Sequence, residues 1–338
     1  LLKVFSGYIG DRYQRKKPLA FFGYATGLLY KLALLLAGSW VGILGARVID
    51  RLGKGIRTAP RDVMVADSAD QLQMGKAFGV HKALDMEGSA GGILLAYFLV
   101  RGNGSGAYKT VFAVSMIPVI FALAMFALIR EKREPRAAGT REPFWKHARE
   151  LDRNLQLYLV VSFLFTLGNS SNTFLLLKAN AIGFTSADVI LLYFLYNVVS
   201  ALLAIPFGKR SDAVGRKKVL VAGYLVFALV YIGFAFATSK AVLIGAFVLY
   251  GFYTAMVAGV ERAFIAEIAP PKLKGTLLGL QSTLVGIALL PASIIAGVLW
   301  NAIGSYAPFL LGAAMALLAA VLLGVFFHTQ PSKAEKTA

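Results

Sequence analysis

Gly7-Tyr8-Ile9-Gly10-Asp11-Arg12-Tyr13-Gln14-Arg15-Lys16-Lys17 stands before one apolar stretch of the chain. Gly208-Lys209-Arg210-Ser211-Asp212-Ala213-Val214-Gly215-Arg216-Lys217-Lys218 stands before another. A shift of 201 residues overlays the glycine, the acid, the arginine and both lysines. A glycine, an acid and a basic triplet held in register between apolar runs describe a duplicated membrane protein with one charged loop in each half.

Composition agrees. The chain is 58% hydrophobic and 15% charged, with a mean hydropathy of +0.68, where soluble domains average about 25% charged residues. A helix needs about 20 apolar residues to cross a bilayer. Runs of that length are expected near 18–38, 40–57, 76–100, 109–130, 155–178, 187–207, 218–238, 240–261, 276–300 and 306–327. These ten spans are helical, because spanning strands would be shorter and would alternate. The second loop has two complete spans before it in its half, and the first has only a stub. The expectation is therefore an all-α membrane protein of two six-helix bundles, with ten of twelve helices present. The bundles take residues 1–130 and 154–328, joined by a polar linker at 131–153 and followed by a tail at 329–338. Trp145, His147 and Leu151 suggest a short interfacial helix in the linker.

The net charge of +18 raises the question of nucleic acid, and its distribution answers it. Of 35 Lys and Arg, 27 fall in six segments on one side of the spans, while only Arg101, Lys109, Lys178 and Lys240 fall in the alternate loops. That asymmetry follows the positive-inside rule and excludes a nucleic-acid face. It predicts a multi-pass protein of the bacterial inner (plasma) membrane, C-terminus in the cytoplasm. With no cysteine there are no disulfides, thiolate metal sites or thiol catalysis. The repeat reaches beyond the loops: Ala66-Asp67 matches Ala266-Glu267, Gly75 matches Gly275 and Gly79 matches Gly279, all at an offset of 200. Each half thus places an acid before a helix that starts G-x-x-x-G, a spacing that permits close helix approach.

The duplicated loop resembles the cytoplasmic signature G-x-x-x-D-R-x-G-R-R/K of the major facilitator superfamily, with Gln14 in place of the second glycine and Gly215 keeping it. Arg47-Val48-Ile49-Asp50-Arg51-Leu52-Gly53-Lys54-Gly55 is similar to that family's fourth-helix signature. Gly79, Gly88, Gly91 and Gly92 partly match its fifth-helix antiporter glycines, without the proline. The resemblance implies two bundles that rock about a central cavity. It also implies that Asp11 and Asp212 latch the cytoplasmic side, with Gly7, Arg12, Arg15, Gly208, Arg216 and Lys217 completing the loops. Arg15, Arg57 and Arg61 are the candidate partners of Asp11.

Charges inside the spans are expensive and face the bundle interior. Arg47, Asp50 and Arg51 fall within one turn. His81, Asp85, Gly88 and Gly92 share one face of a helix, the glycines for tight packing and the ionisable pair toward the gap. Asp85 with His81 is the favoured proton site, Asp50 an alternative, and Arg47 with Lys31 suits an anionic substrate group; an ion-pair network that only ties helices together is the competing reading. The second half offers Asn169 and Asn172 at mid-span, Asn197, Tyr250 and Tyr253, neutral groups fit for an organic substrate or for bonds between helices at a kink. Glu261 and Arg262 read as a cytoplasmic gate pair. No G-x-S-x-G, H-E-x-x-H or phosphate-loop motif is present, so an enzyme or direct ATP drive is disfavoured. The expected function is proton-coupled export of a small organic compound by a monomer, without metal or cofactor. Import on the same fold is the alternative, ahead of a membrane enzyme or a channel.

Overall fold

The computed structural model describes residues 2–13, 15–102, 107–129 and 152–327. Within them run α1 (Leu2–Tyr13), α2 (Lys16–Leu36), α3 (Trp40–Asp67), α4 (Met74–Gly102), α5 (Ala107–Val114) and α6 (Met116–Leu128). The second half holds α7 (Arg153–Gly168), α8 (Thr173–Ala181), α9 (Ser186–Val214), α10 (Arg216–Phe236), α11 (Lys240–Ile268), α12 (Lys274–Ala302) and α13 (Ala307–Val321). A π-helical turn, Leu322–Phe326, closes the described chain. There is no strand among the described residues. The expected interfacial helix around Trp145 and the tail at 329–338 lie outside them.

Eight helical segments among the described residues are long and apolar enough to cross a membrane. α3 falls outside that set because its interior carries charge. α3 nevertheless runs 28 residues, well past the expected end at 57, because the polar residues of its second half are paired in the interior rather than hydrated. The span expected at 109–130 breaks at Ser115 between α5 and α6; Pro118, with no N–H to give, explains the interruption. The span expected at 155–178 breaks at Asn169–Asn172, between α7 and α8.

Repetition is visible in the element boundaries. α2 and α10 are each 21 residues, α4 and α12 each 29, and every start is displaced by 200 residues. The short 3-10 turns Gln71–Gln73 and Pro271–Leu273 keep the same displacement. The duplicated loops do not: α1 ends at Tyr13 and α2 begins at Lys16, whereas α9 ends at Val214 and α10 begins at Arg216. The second loop is one residue shorter and turns on Gly215 at φ 96°, a conformation open to glycine and strained for residues with a Cβ.

The second half is held by an aromatic core. Tyr158, Tyr224, Phe227, Tyr231, Phe234 and Phe309 are fully buried. Phe165 stacks on Tyr224 at 4.2 Å and Phe227 on Tyr231 at 3.9 Å, contacts worth about 0.5–1.5 kcal/mol each beyond burial.

The halves meet at the ends of the helices that carry the basic loops, here the basic end. A Cβ on Gly7 would strike the Gly275 carbonyl, on Gly79 the Ala204 carbonyl, on Gly208 the Gly75 carbonyl and on Gly279 the Lys3 carbonyl. The G-x-x-x-G pairs of α4 and α12 therefore serve contact between halves. Ala66, Met74, Phe78, Ala263 and Ala266 form a small dry plug there, drawn from α3, α4 and α11. Further along α4 the pattern changes. Gly88, Gly91 and Gly92 have no atom within 4 Å of a built Cβ, so the tight packing expected on that edge is absent.

Candidate functional site

Each duplicated loop sends its acid into the opposite half. Asp11, buried at 6% exposure, accepts the backbone N–H groups of Gly275 at 3.1 Å and Thr276 at 2.7 Å and the Thr276 hydroxyl at 2.8 Å. Asp212 accepts the N–H groups of Gly75 and Lys76, both at 2.8 Å. The first N–H groups of a helix have no partner within it, and the helix dipole favours an anion there. The two carboxylates thus cap α12 and α4 reciprocally, across the boundary between halves.

Basic residues back both caps, one register apart. Arg216 is buried, binds Asp212 at 2.7 Å and Glu267 at 2.5 Å, and donates to the Gln71 carbonyl at 2.8 Å. Its register mate by the motif is Arg15, expected in the latch beside Asp11. Arg15 instead stands exposed ahead of α2. Lys16 fills the equivalent place, buried and paired with Asp67 at 2.5 Å; Lys274 of the other half also reaches Asp67, at 3.8 Å. The extra residue in the first loop moves the inward position from the arginine to the lysine. Lys217 donates to the Phe327 carbonyl at 2.6 Å, and Arg12 donates to Tyr8 on the exposed side. The other proposed partners of Asp11 are engaged elsewhere: Arg57 lies over the Tyr24 ring at 4.5 Å, and Arg61 binds Asp62 through two nitrogens at 2.9 and 3.0 Å.

Asp62 was not singled out by the sequence. It is 1% exposed and takes a second guanidinium, Arg262 of α11, at 3.6 Å. Glu261 is not the partner of Arg262. Its carboxylate accepts from the Tyr224 hydroxyl at 2.9 Å, and its backbone carbonyl accepts from Tyr158. In place of the pair expected within one helix, Arg262 makes an ion pair between α3 and α11, one residue from each half.

The candidate proton residues are less gathered than their spacing implied. Asp85 is exposed and pairs with Lys82 at 3.4 Å rather than with His81. Asp50 binds Lys54 at 2.8 Å, one turn on, rather than Arg47 or Arg51. Arg47 is exposed and Lys31 half-buried.

In the second half the neutral candidates do come together. Where α7 stops at Asn169, that side chain donates to Tyr253 at 3.2 Å and accepts from Tyr231 at 3.3 Å. Asn172 accepts from Tyr250 at 2.8 Å. Tyr196, missed in the sequence, packs against Tyr250 at 5.4 Å and Tyr193 at 4.9 Å. Asn197 is buried below Tyr193, donating to its carbonyl at 2.7 Å, with its own Oδ1 unpaired. A cavity of about 430 Å³ lined by Asn169, Ser170, Ser171, Asn172, Leu289 and Ser293 opens beside the break. Among the described residues no group of His, Cys, Asp and Glu has a metal-binding arrangement.

The family model described as Major Facilitator Superfamily matches residues 1–179 and 157–338. An uncharacterized MFS-type transporter of Methanocaldococcus jannaschii, MJ1317, is 35% identical over 96% of this chain and 81% of its own. The multi-drug resistance efflux pump PmrA homolog of Lactococcus lactis is 31% identical over 39% of this chain and 32% of its own. The crystal structure of the human organic anion transporter MFSD10 shares the fold with a TM-score of 0.75 at 20% identity, over 95% of this chain and 80% of that one. With the paired acidic caps, the 200-residue repeat and these matches in place, the chain belongs to the major facilitator superfamily.

Proposed function

We propose that the protein is a secondary transporter that exports a small organic compound by alternating access, coupled to protons entering the cell. The observation that carries this reading is the reciprocal pair of caps, Asp11 on α12 and Asp212 on α4. They hold one end of the molecule shut with contacts that rigid-body rocking breaks together. The rocking bodies are the bundles at 1–130 and 154–328, and the basic end faces the cytoplasm by its charge. The cavity at the α7–α8 break supplies neutral hydrogen-bonding groups for the substrate, with Asn169 and Asn172 held in place by Tyr231, Tyr250 and Tyr253 behind them. The ionisable residues of the first half (Asp85 with His81, Asp50, Lys31, Arg47) are the proposed coupling and charge-binding groups. The match to a multidrug efflux pump over part of the chain favours export.

The test is an uptake and efflux screen of organic compounds in sealed vesicles with an imposed pH gradient. An exporter moves at least one compound against its gradient when the proton gradient is present and stops when it is collapsed. Transport that is indifferent to the proton gradient removes the coupling. Full gradient-driven transport by Asp85→Asn removes that residue from the proton path.

A further inference from the structure

Four charged residues meet at the basic end on helices related by the repeat. Arg61-Asp62 on α3 and Glu261-Arg262 on α11 occupy positions 200 apart with the order of charge reversed. Each of these two pairs is neutral on its own. In the closed arrangement the sharing is uneven: Asp62 holds both guanidinium groups, Arg61 at 2.9 Å and Arg262 at 3.6 Å. Glu261 is left with a hydrogen bond from Tyr224 at 2.9 Å. Its surroundings are the wall of the aromatic core. Tyr224 is fully buried under Phe165, and Tyr158, held by Gln281 of α12, donates to the Glu261 backbone carbonyl. The titratable and charged groups facing this cluster are Arg61 and Asp62 of α3, His81, Lys82 and Asp85 of α4, Lys3 of α1 and Arg262 of α11 itself.

We propose that Glu261 is a proton-binding site whose occupancy is set by the gate: it carries a proton while Asp62 holds Arg262, and yields it when Arg262 is released. This rests on the alternating-access reading above and deepens it. Parting α3 from α11 leaves Arg61 with Asp62, so the first half strands no charge. Arg262 loses its only carboxylate among the described residues and needs another, and Glu261 is the acid beside it. Neighbouring positions on a helix do not normally face each other, yet Arg61 and Asp62 make just such a pair at the equivalent turn of α3. A guanidinium beside a carboxyl favours its charged form. The proton on Glu261 therefore leaves at the end that is then open, and returns only when Arg262 goes back to Asp62. One arginine exchanging between two acids ties proton release to opening.

A simpler account has Glu261 serve only as the acceptor for the buried Tyr224 hydroxyl, and one substitution separates the two. Glu261→Gln keeps an acceptor for Tyr224 and cannot exchange a proton. The chain has no native cysteine, so Leu72→Cys with Lys272→Cys, both exposed at the basic end, gives a unique pair for spin labels on the full chain in bilayers. We expect a short and a long distance component in the parent, the long one gaining population as pH rises. Glu261→Gln loses that pH response and stays short, while Glu87→Gln, at an exposed acid of α4 outside the cluster, keeps it. Arg262→Gln, which leaves Asp62 paired with Arg61, loses it as well and serves if Glu261→Gln fails to fold. A parental pH response in Glu261→Gln or in Arg262→Gln overturns the proposal. So do two components whose ratio ignores pH in the parent. A single component under every condition, acid to alkaline, overturns the alternating-access reading on which it rests.

Discussion

A carboxylate that caps a helix of another body is a strong and releasable contact. Hydrogen bonds to charged groups contribute about 1.5–3 kcal/mol each, against about 1 for neutral ones. Asp212→Asn keeps the shape and removes the charge, so the closed state should lose about 1.4 kcal/mol, a tenfold change in population. Ala266, 1% exposed in the plug between the halves, reports it: alkylation of Ala266→Cys should speed up about tenfold in Asp212→Asn, with substrate affinity nearly unchanged. An unchanged alkylation rate would mean the cap does not bias the equilibrium. Asp11→Asn should act the same way, since it makes the mirror contact. Asp62 is different in kind. Removing one member of a buried ion pair costs about 3–5 kcal/mol, so Asp62→Ala, which strands Arg61 and Arg262, should lower the yield of folded protein rather than tune its gate. In the second half, Tyr250→Phe deletes the bond to Asn172 and leaves the tilted ring contacts with Tyr196 and Tyr253. For a substrate found by the vesicle screen it should raise KM severalfold with the maximal rate preserved, if Tyr250 and Asn172 line the binding pocket.

At the level of elements, the two loops solve one problem with different lengths. The second turns on Gly215 at φ 96°, where a Cβ costs about 1–2 kcal/mol. Gly215→Ala should therefore lower the thermal midpoint by a few degrees, readable by a melting curve of the detergent-solubilised protein. Gly79 belongs to a closer contact, its built Cβ 2.6 Å from the Ala204 carbonyl between halves. Gly79→Val should hold the basic end apart and leave the fold of each half intact. Most of this element layer was legible in the chain, because bilayer-length apolar runs are strong signals and the G-x-x-x-G pairs recur at one offset. α3 was cut short because its second half is polar, and hydropathy cannot see that Arg61 and Asp62 neutralise each other inside. The identity of the buried cation behind the first cap was hidden for another reason. Arg15-Lys16-Lys17 overlays Arg216-Lys217-Lys218 perfectly as text, and only the helix starts reveal that Lys16 is the counterpart of Arg216. The Asp62–Arg262 pair joins positions 200 apart across a boundary, so no local pattern announces it. The neutral site was more readable: a cluster of Asn and Ser inside an apolar run both breaks the helix and offers hydrogen bonds, and the tyrosines of α11 lie opposite it.

Across the whole molecule, the contacts described at the interface share a direction. The caps, the backbone contacts at Gly7, Gly75, Gly79, Gly208, Gly275 and Gly279, the alanine plug and the Asp62–Arg262 pair all lie toward the basic end. The glycines at 88, 91, 92 and 286 have open space around them. One end is tightly packed and the other loosely, the asymmetry that the proposed alternating-access reading needs of one of its two states. The measurement that tests this most directly is a pair of distances on the full chain in bilayers. Leu72 with Lys272 reports the basic end, and Trp40 with Lys240, at the starts of α3 and α11, reports the other. The account predicts two populations in each pair, varying in opposition as substrate or pH is changed, with Asp11→Asn and Asp212→Asn shifting both toward an open basic end. Distances that lengthen together, or a basic end that stays closed under every condition while transport proceeds, would contradict it.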